Sequence, residues 1–270
     1  MNNTINRRKF IKLLSGSLAT LSIGAVTAPV NGLYPSSNQV QVLGRGILAD
    51  STQPDTLQPH LAPEEIAFLA AHELKTGDLT RKAVLMTYDD VFRNDKLSHV
   101  LDVYREHGCK CTFFIIGVNL EDCKATLPRI VEEGHELGCH GWVHNPFTSL
   151  TDESIYGQFK AFVTKVDEII PGYRVKYFRA PYGDRDMRVR TLAATWGMQH
   201  VLWSLESGGM DKNTVHNVVD RAQNGSIVLS HASRQFDVTE ADVIVKELIR
   251  KGFNLETISS GMDPADKWTG

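Results

Sequence analysis

The sequence lacks the features of several specialised classes of protein. After the first dozen residues it has no block of like charges, and its 29 basic and 32 acidic residues give a formal net charge of -3. This near balance argues against nucleic-acid binding. With 270 residues of ordinary composition, the chain can bury a full core and form either one α/β barrel or two modest domains.

Cysteine is scarce, and the four residues of this type are Cys109, Cys111, Cys123 and Cys139. The first two are separated by one residue and no second close pair follows, whereas structural zinc sites usually have a gap of two to four residues. The pattern therefore argues against a cysteine zinc site. We interpret the four as core residues, with a disulfide as an option in an oxidising compartment.

The chain also lacks a hydrophobic run of the length that a confident membrane span requires. Its N-terminal apolar run, residues 13–26, has about 14 residues instead of the ~20 that a bilayer needs. The basic segment 6–12 before it contains two adjacent arginines and resembles a twin-arginine export signal. We therefore predict a signal peptide over 1–28, the twin-arginine export machinery as a partner, and a periplasmic or extracellular protein. An uncleaved N-terminal anchor is the alternative.

A linker or N-terminal arm is predicted over residues 29–77. Residues 31–63 are rich in Ser, Gln, Pro and Asp without sustained periodicity, which is typical of a loosely packed segment. A short helix is then predicted from Pro63 to Leu74, because acidic residues in its first turn favour the helix dipole. A folded domain over 78–262 and a tail over 263–270 complete the predicted organisation.

After Gly77 predicted strands alternate with predicted helices. The predicted strands are 83–88, 111–116, 136–139, 177–179, 199–203, 226–230 and 254–258, and the predicted helices are 96–106, 127–133, 151–170, 187–196, 213–223 and 240–251. About seven strands in this alternation predict a parallel sheet, either open or closed into a barrel. In such barrels functional groups lie on loops after the strands, at the C-terminal face.

Segment 134–146 contains His140 and His144, four residues apart and surrounded by glycines. At that spacing two side chains lie about 5–6 Å apart on one face and can bind one metal ion. Taken alone, a pair at this spacing is more often two hydrogen-bonded histidines on an ordinary loop. A metal site therefore needs further ligands from elsewhere in the chain.

Asp89 and Asp90 are adjacent carboxylates at the end of the first predicted strand. Adjacent side chains diverge as they leave a strand, so that one can bind a metal while the other faces a reacting water. The alternative is a solvated acidic turn.

Two later motifs also follow predicted strands. Segment 179–183 begins with Arg179, a permanent cation that can orient a carboxylate, and continues through a proline and a glycine that allow a sharp turn. Segment 229–231 ends with His231, a further imidazole. Each motif alone fits an ordinary turn or a structural histidine, but their joint occurrence after strands predicts one site at the C-terminal face.

Together the motifs resemble the polysaccharide deacetylase family, the carbohydrate esterases of family four with the NodB homology domain. Five motifs occur in the order of that family, at 87–90, 140–144, 179–183, around Trp203 and at 229–231. The resemblance covers roughly residues 81–258. It implies a distorted (β/α)7-type barrel made by a single catalytic domain.

The resemblance also implies a metal site. Asp90, His140 and His144 match the residues that bind a divalent cation, most often Zn²⁺, with Co²⁺ or another divalent ion as alternatives. Asp89 matches the catalytic base and His231 the general acid.

Further residues match positions around the reacting group. Arg179 resembles the residue that positions the base, and the backbone N–H of Tyr182 resembles an oxyanion donor. The residues implied in substrate binding are Trp203, Leu229 and Tyr182, of which the first two resemble the walls of a pocket for the acetyl methyl group.

The sequence departs from the family pattern at three places. Gly141 stands where Ser or Thr usually follows the first metal histidine, and Val91-Phe92 replaces a frequent Gly-Pro. The fourth motif lacks the Asp-Trp pair that tunes the acidic histidine, and Glu206 and Asp211 both remain candidates for that role.

The implied function is hydrolysis of acetyl groups from N-acetylated amino sugars, with an N-acetylated glycan as the partner. An O-acetyl xylan esterase and a non-catalytic carbohydrate-binding relative are the alternatives. A metalloprotease is a weaker one: His135 and His140 are five residues apart instead of four, and Gly134 and Gly138 disfavour the helix that such a motif needs.

Overall fold

The computed structural model describes residues 57–91, 93–211 and 213–268. The predicted signal peptide over 1–28 and most of the predicted linker lie outside these ranges. In the described ranges, no helix combines the length and the apolar character needed to cross a membrane.

Eight short strands form one sheet in the described part of the chain. They are β1 (Ala83–Val91), β2 (Thr112–Ile115), β3 (Glu136–Cys139), β4 (Tyr177–Phe178), β5 (Gln199–His200), β6 (Leu205–Glu206), β7 (Ser226–His231) and β8 (Asn254–Leu255). Their order is β5-β4-β3-β2-β1-β7-β6, with β8 beside the start of β1, and every pair is parallel. The strands are almost entirely buried because helices cover the outer face of the sheet.

The helices are α1 (Pro63–Ala71), α2 (Asn94–Glu106), α3 (Leu120–Cys123), α4 (Leu127–Glu132), α5 (Asp152–Ile169), α6 (Met187–Thr195), α7 (Thr214–Val219), α8 (Gln235–Thr239), α9 (Ala241–Arg250) and α10 (Ile258–Gly261). Helix α5 begins after Thr151, whose hydroxyl accepts a hydrogen bond from the N–H of Ser154 at 3.3 Å. Helices α3, α8 and α10 were not predicted, because each is too short to show an amphipathic period.

The sheet is curled, since its two edge strands are neighbours in sequence. Only residues 201–204 separate β5 from β6, and five Cα steps span at most about 19 Å. Residues 74–76 connect the two sides of this closure, because Leu74 pairs with Val201 after β5 and Thr76 pairs with Ser226 on β7, the neighbour of the edge strand β6. The prediction of a distorted barrel in a single domain is confirmed.

Two predicted elements near this closure were wrong in extent. The predicted strand 199–203 ends at His200, and the next strand, β6, begins only at Leu205. Between them the N–H of Val201 still bonds to Phe178 on β4, whereas that of Ser204 already bonds to Ile227 on β7. The predicted helix to Leu74 ends at Ala71, since the backbone of Leu74 instead bonds to His200 and Leu202.

The core lies on both faces of the sheet. The main apolar cluster lies between the strands and the helices and contains alternate residues such as Met86, Tyr88 and Phe113, whereas a smaller cluster with Leu85, Phe114 and Ile227 fills the barrel interior. All four cysteines are free, buried and part of the main cluster, as expected for core residues.

Candidate metal centre and active site

Asp89 and Asp90 end β1 with different backbone conformations. Asp89 is in register with His231 on the neighbouring strand β7. The β1–β2 register shifts between Tyr88 and Val91, and Asp90 adopts a φ of 56°, a left-handed conformation that aspartate tolerates better than most residues. This irregularity turns the Asp90 carboxylate away from that of Asp89 and toward the histidines after β3.

Asp90, His140 and His144 form the one three-residue cluster of potential ligands found among the described residues. The Oδ1 atom of Asp90 lies 3.5 Å from Nε2 of His140 and 3.5 Å from Nε2 of His144. The Nδ1–H of His140 donates to the carbonyl oxygen of Arg179 at 2.7 Å. Because a carbonyl can only accept, a neutral His140 keeps the lone pair of Nε2 on the side of Asp90.

The donor set fits a divalent cation. Oδ1 of Asp90 is buried without a hydrogen-bond partner, which is costly for a carboxylate unless a cation balances it. A tetrahedral zinc site with bonds of about 2.0–2.1 Å places its ligand atoms roughly 3.4 Å apart, close to the 3.5 Å that separates Oδ1 of Asp90 from each histidine nitrogen. Burial alone would raise the pKa of Asp90, but the neighbouring imidazoles of His140 and His144 lower it to about 2.

Arg179 is fully buried and holds the Asp89 carboxylate. Its Nη1 donates to Oδ1 of Asp89 at 2.7 Å and to the hydroxyl of Thr87 at 2.7 Å. Its remaining donors reach the carbonyl oxygens of Val201 and Leu202, and its guanidinium lies 4.2 Å from the ring centre of Phe114. These contacts fix the charge and direction of Asp89 in a low-dielectric interior.

The segment after Arg179 is a tight turn. Hydrogen bonds from the N–H of Gly183 to Ala180 and from the N–H of Asp184 to Pro181 close it. They hold Tyr182 at a φ of 60°, and the residue is 69% exposed. The Tyr182 ring lies 4.4 Å from the His144 ring, so the turn borders the candidate metal site.

His231 lies on the other side of Asp89, and the carboxylate next to it is that of Asp237 on α8. Oδ2 of Asp237 accepts the backbone N–H of His231 at 2.7 Å and lies 3.9 Å from its Nδ1. Both Nδ1 of His231 and Oδ1 of Asp237 are buried without a hydrogen-bond partner. Gly209 makes room for this carboxylate, because a Cβ there would lie 2.2 Å from Oδ2 of Asp237.

The two carboxylates proposed from sequence to replace the fourth-motif aspartate have other contacts. Glu206 accepts the indole N–H of Trp203 at 2.9 Å, and Asp211 accepts the backbone N–H of Asn213 at 2.8 Å. Asp237 was not predicted, because the candidates from sequence were residues that directly follow predicted strands, whereas Asp237 lies on the short helix α8.

Trp203 and Leu229 lie near the same face. A Cβ on Gly183 would lie 3.2 Å from the ring of Trp203, which places this ring against the turn that carries Tyr182. Leu229 is buried on β7, two residues before His231.

Comparisons with known proteins agree with this arrangement. Residues 76–201 match a family model described as polysaccharide deacetylase. The peptidoglycan-N-acetylglucosamine deacetylase of Bacillus cereus is 28% identical over 196 residues, which are 68% of this chain and 70% of that protein. The peptidoglycan-N-acetylmuramic acid deacetylase PdaC of Bacillus subtilis is 29% identical over 189 residues, which are 68% of this chain but 40% of that protein.

A similar solved structure is that of a CE4 family pseudoenzyme from Bacillus anthracis. It has a TM-score of 0.65 and 22% identity, and the match covers 71% of this chain and 69% of that one. At this identity the likeness establishes the fold alone.

Proposed function

This chain belongs to the polysaccharide deacetylase family, and from that premise we propose that it removes acetyl groups from N-acetylated amino sugars by metal-dependent hydrolysis. The observation that carries the proposal is the convergence of Asp90, His140 and His144 beside Asp89 and His231. A cation site, a buried carboxylate and a further imidazole are the groups that hydrolysis of an amide requires.

We assign the cation to Asp90, His140 and His144, with Zn²⁺ as the first choice and Co²⁺ as an alternative. When bound, a divalent ion supplies Lewis acidity that polarises the acetyl carbonyl and lowers the pKa of water toward about 7.

The protein groups divide the proton transfers between them. Asp89, oriented by Arg179, accepts the proton of the water that attacks the acetyl carbon. The Tyr182 N–H hydrogen-bonds to the oxyanion, and one such donor contributes ~3 kcal/mol. His231 donates a proton to the leaving nitrogen as the C–N bond breaks, so that acetate and a free amine are released.

The substrate is proposed to be a glycan of the cell envelope. The two bacterial relatives are named for deacetylation of peptidoglycan sugars, and the predicted export signal would deliver this protein to the same compartment. Tyr182, Trp203 and Leu229 are proposed to contact the sugar and the acetyl methyl group.

The experiment that tests this function measures acetate released from N-acetylated oligosaccharides, peptidoglycan and acetylated xylan. We expect release from the first two, its loss after treatment with a chelator, and its return with added zinc. Release from xylan alone would instead identify an O-acetyl esterase, which differs only in the leaving atom.

A non-catalytic carbohydrate-binding relative is the second candidate, because a pseudoenzyme shares this fold. The same assay separates the two: binding of the oligosaccharide without acetate release in the presence of zinc would favour the binding protein. Asp89, Arg179 and His231, which the proposed chemistry needs, are all present and grouped here, which favours the enzyme.

A further inference from the structure

A chain of hydrogen bonds links the N-terminal arm to the candidate metal site. It begins at Glu73, which lies three residues before the matched segment 76–201. Oε2 of Glu73 accepts a hydrogen bond from Nδ1 of His200 at 3.0 Å. Nε2 of His200 accepts the backbone N–H of Ala180 at 3.3 Å.

The chain continues through a single peptide group. The N–H of Ala180 and the carbonyl of Arg179 belong to the same peptide unit, and this carbonyl accepts the Nδ1–H of His140 at 2.7 Å. One end of the chain is thus a carboxylate, and the other is an imidazole whose Nε2 faces Asp90.

The surrounding contacts fix each member of the chain. The backbone of Leu74 bonds to His200 and Leu202, which holds Glu73 against the side chain of His200. Arg185 binds both carboxylate oxygens of Glu73, at 2.7 and 3.1 Å, and also donates to the carbonyl of Gly183 in the turn that carries Tyr182. His200 is fully buried.

The hydrogen bonds between His140 and Glu73 all donate in the same direction, toward Glu73. When a group donates its N–H to an acceptor, the other polar atom of that group becomes a stronger acceptor. Neighbouring hydrogen bonds in the chain therefore strengthen one another. A negative charge at Glu73 therefore favours the tautomer of His140 that carries its proton on Nδ1 and leaves Nε2 as a metal donor. Carboxylates that orient a metal-binding histidine act in the same way at shorter range.

We propose that Glu73 and His200 are positioning residues for His140, which act through the Arg179–Ala180 peptide to strengthen binding of the cation. This inference rests on the metal site of the proposed function. It assigns a role in that site to a residue of the arm that precedes β1.

The test measures the zinc affinity of the full-length, metal-free protein by competition with a chromophoric chelator. Removal of a group that hydrogen-bonds directly to a metal-binding histidine lowers metal affinity by about 10–100-fold. Since Glu73 and His200 act one peptide further away, we expect Glu73→Ala and His200→Phe each to weaken zinc binding by roughly tenfold.

The double variant is the sharper measurement. If both residues act through the same chain of hydrogen bonds, the second change interrupts a path that the first has already interrupted. Glu73→Ala combined with His200→Phe should then lose no more zinc affinity than either change alone. Multiplied losses would instead indicate separate structural effects and would contradict the proposal.

A matched control distinguishes the positioning role of Glu73 from a general effect of packing the arm against the rest of the domain. Glu65 lies on the same arm and accepts the N–H of Ala62 at 2.8 Å, but it does not contact His200. Glu65→Ala should lower thermal stability and leave zinc affinity within twofold of the wild type. An equal loss in this control would show that arm docking alone sustains the site.

The remaining outcomes are also decisive. If Glu73→Ala does not fold, Glu73→Gln removes the charge with little change of shape, and it should still weaken zinc binding. Unchanged affinity in a folded Glu73 variant would overturn the positioning role while leaving the proposed function intact. A wild-type protein that binds no zinc would overturn both.

Discussion

Two buried histidines flank the same strand and have opposite surroundings. His135 precedes β3 and His140 follows it, and their side chains are almost equally hidden, with residue exposures of 5% and 3%. His135 lies against the rings of Tyr104 and Phe113. His140 lies instead 3.7 and 3.5 Å from the carboxylates of Asp89 and Asp90.

The same degree of burial therefore has opposite consequences. Burial lowers the pKa of His135 to about 4, with a further contribution from Lys110. For His140 burial also lowers the pKa, but Asp89 and Asp90 outweigh it and the pKa is raised. Charged neighbours, not burial, distinguish the functional end of the strand from the structural one, as expected for the two faces of a barrel.

The comparison also argues against the metalloprotease interpretation. His135 and His140 lie at opposite ends of an extended segment, which separates their Cα atoms by about 16 Å. Two histidines at that separation cannot bind one zinc ion, whose bonds to nitrogen are about 2 Å long.

The largest expected effect concerns His140, at the C-terminal end of β3. Replacement of both His140 and His144 by Ala should abolish stoichiometric zinc and, with it, acetate release, because two of three protein ligands are lost. Elemental analysis measures the zinc, and His135→Phe serves as the matched control, which should retain one ion per chain. A double variant that keeps its zinc would refute the proposed ligand set.

The next effect concerns the proposed acid on β7. His231→Ala should lower amide turnover by roughly 10²–10⁴-fold, because an amine anion is a very poor leaving group without a proton donor. Bound zinc should remain at the wild-type level. Unchanged turnover of N-acetylated oligosaccharide in this variant would exclude His231 as the acid.

An intermediate effect concerns His135, at the N-terminal end of β3. The folded-state pKa of His135 is about 4, below the usual 6.5, so the unfolded chain binds more protons between these values. Stability should therefore fall as the pH decreases from about 6.5 to 4, by up to about 3 kcal/mol for this group.

The measurement is urea unfolding as a function of pH. His135→Phe keeps a ring in the pocket but cannot titrate, so its free energy of unfolding should decrease less than that of the wild type across this range. An identical acid dependence in the two proteins would show that His135 does not remain neutral when folded.

The smallest effect concerns the support of His231. Asp237→Asn removes a buried charge 3.9 Å from Nδ1 of His231 and should lower the rate of acetate release by roughly tenfold without changing zinc affinity. Glu206→Gln, the matched control in the fourth motif, should leave the rate nearly unchanged. The reverse result would return the fourth-motif role to Glu206.

The sequence was most informative where a side chain directly follows a strand. Asp89, Asp90, Arg179 and His231 could be singled out because parallel strands bring their C-terminal ends to one edge, and the structure groups them there. It was least informative near Trp203, where a single apolar run changes partner from β4 to β7. Periodicity reports burial but not the identity of the neighbouring strand.

What the sequence alone determined is the alternation of strands and helices and the types of chemical groups at strand ends, since these depend on local patterns. The tertiary structure decided which distant groups support them. Asp237 reaches His231 from a short helix, and Glu73 reaches His140 through His200 and one peptide group. Such contacts depend on how the sheet curls and on where the arm packs, and no local spacing of residues encodes either.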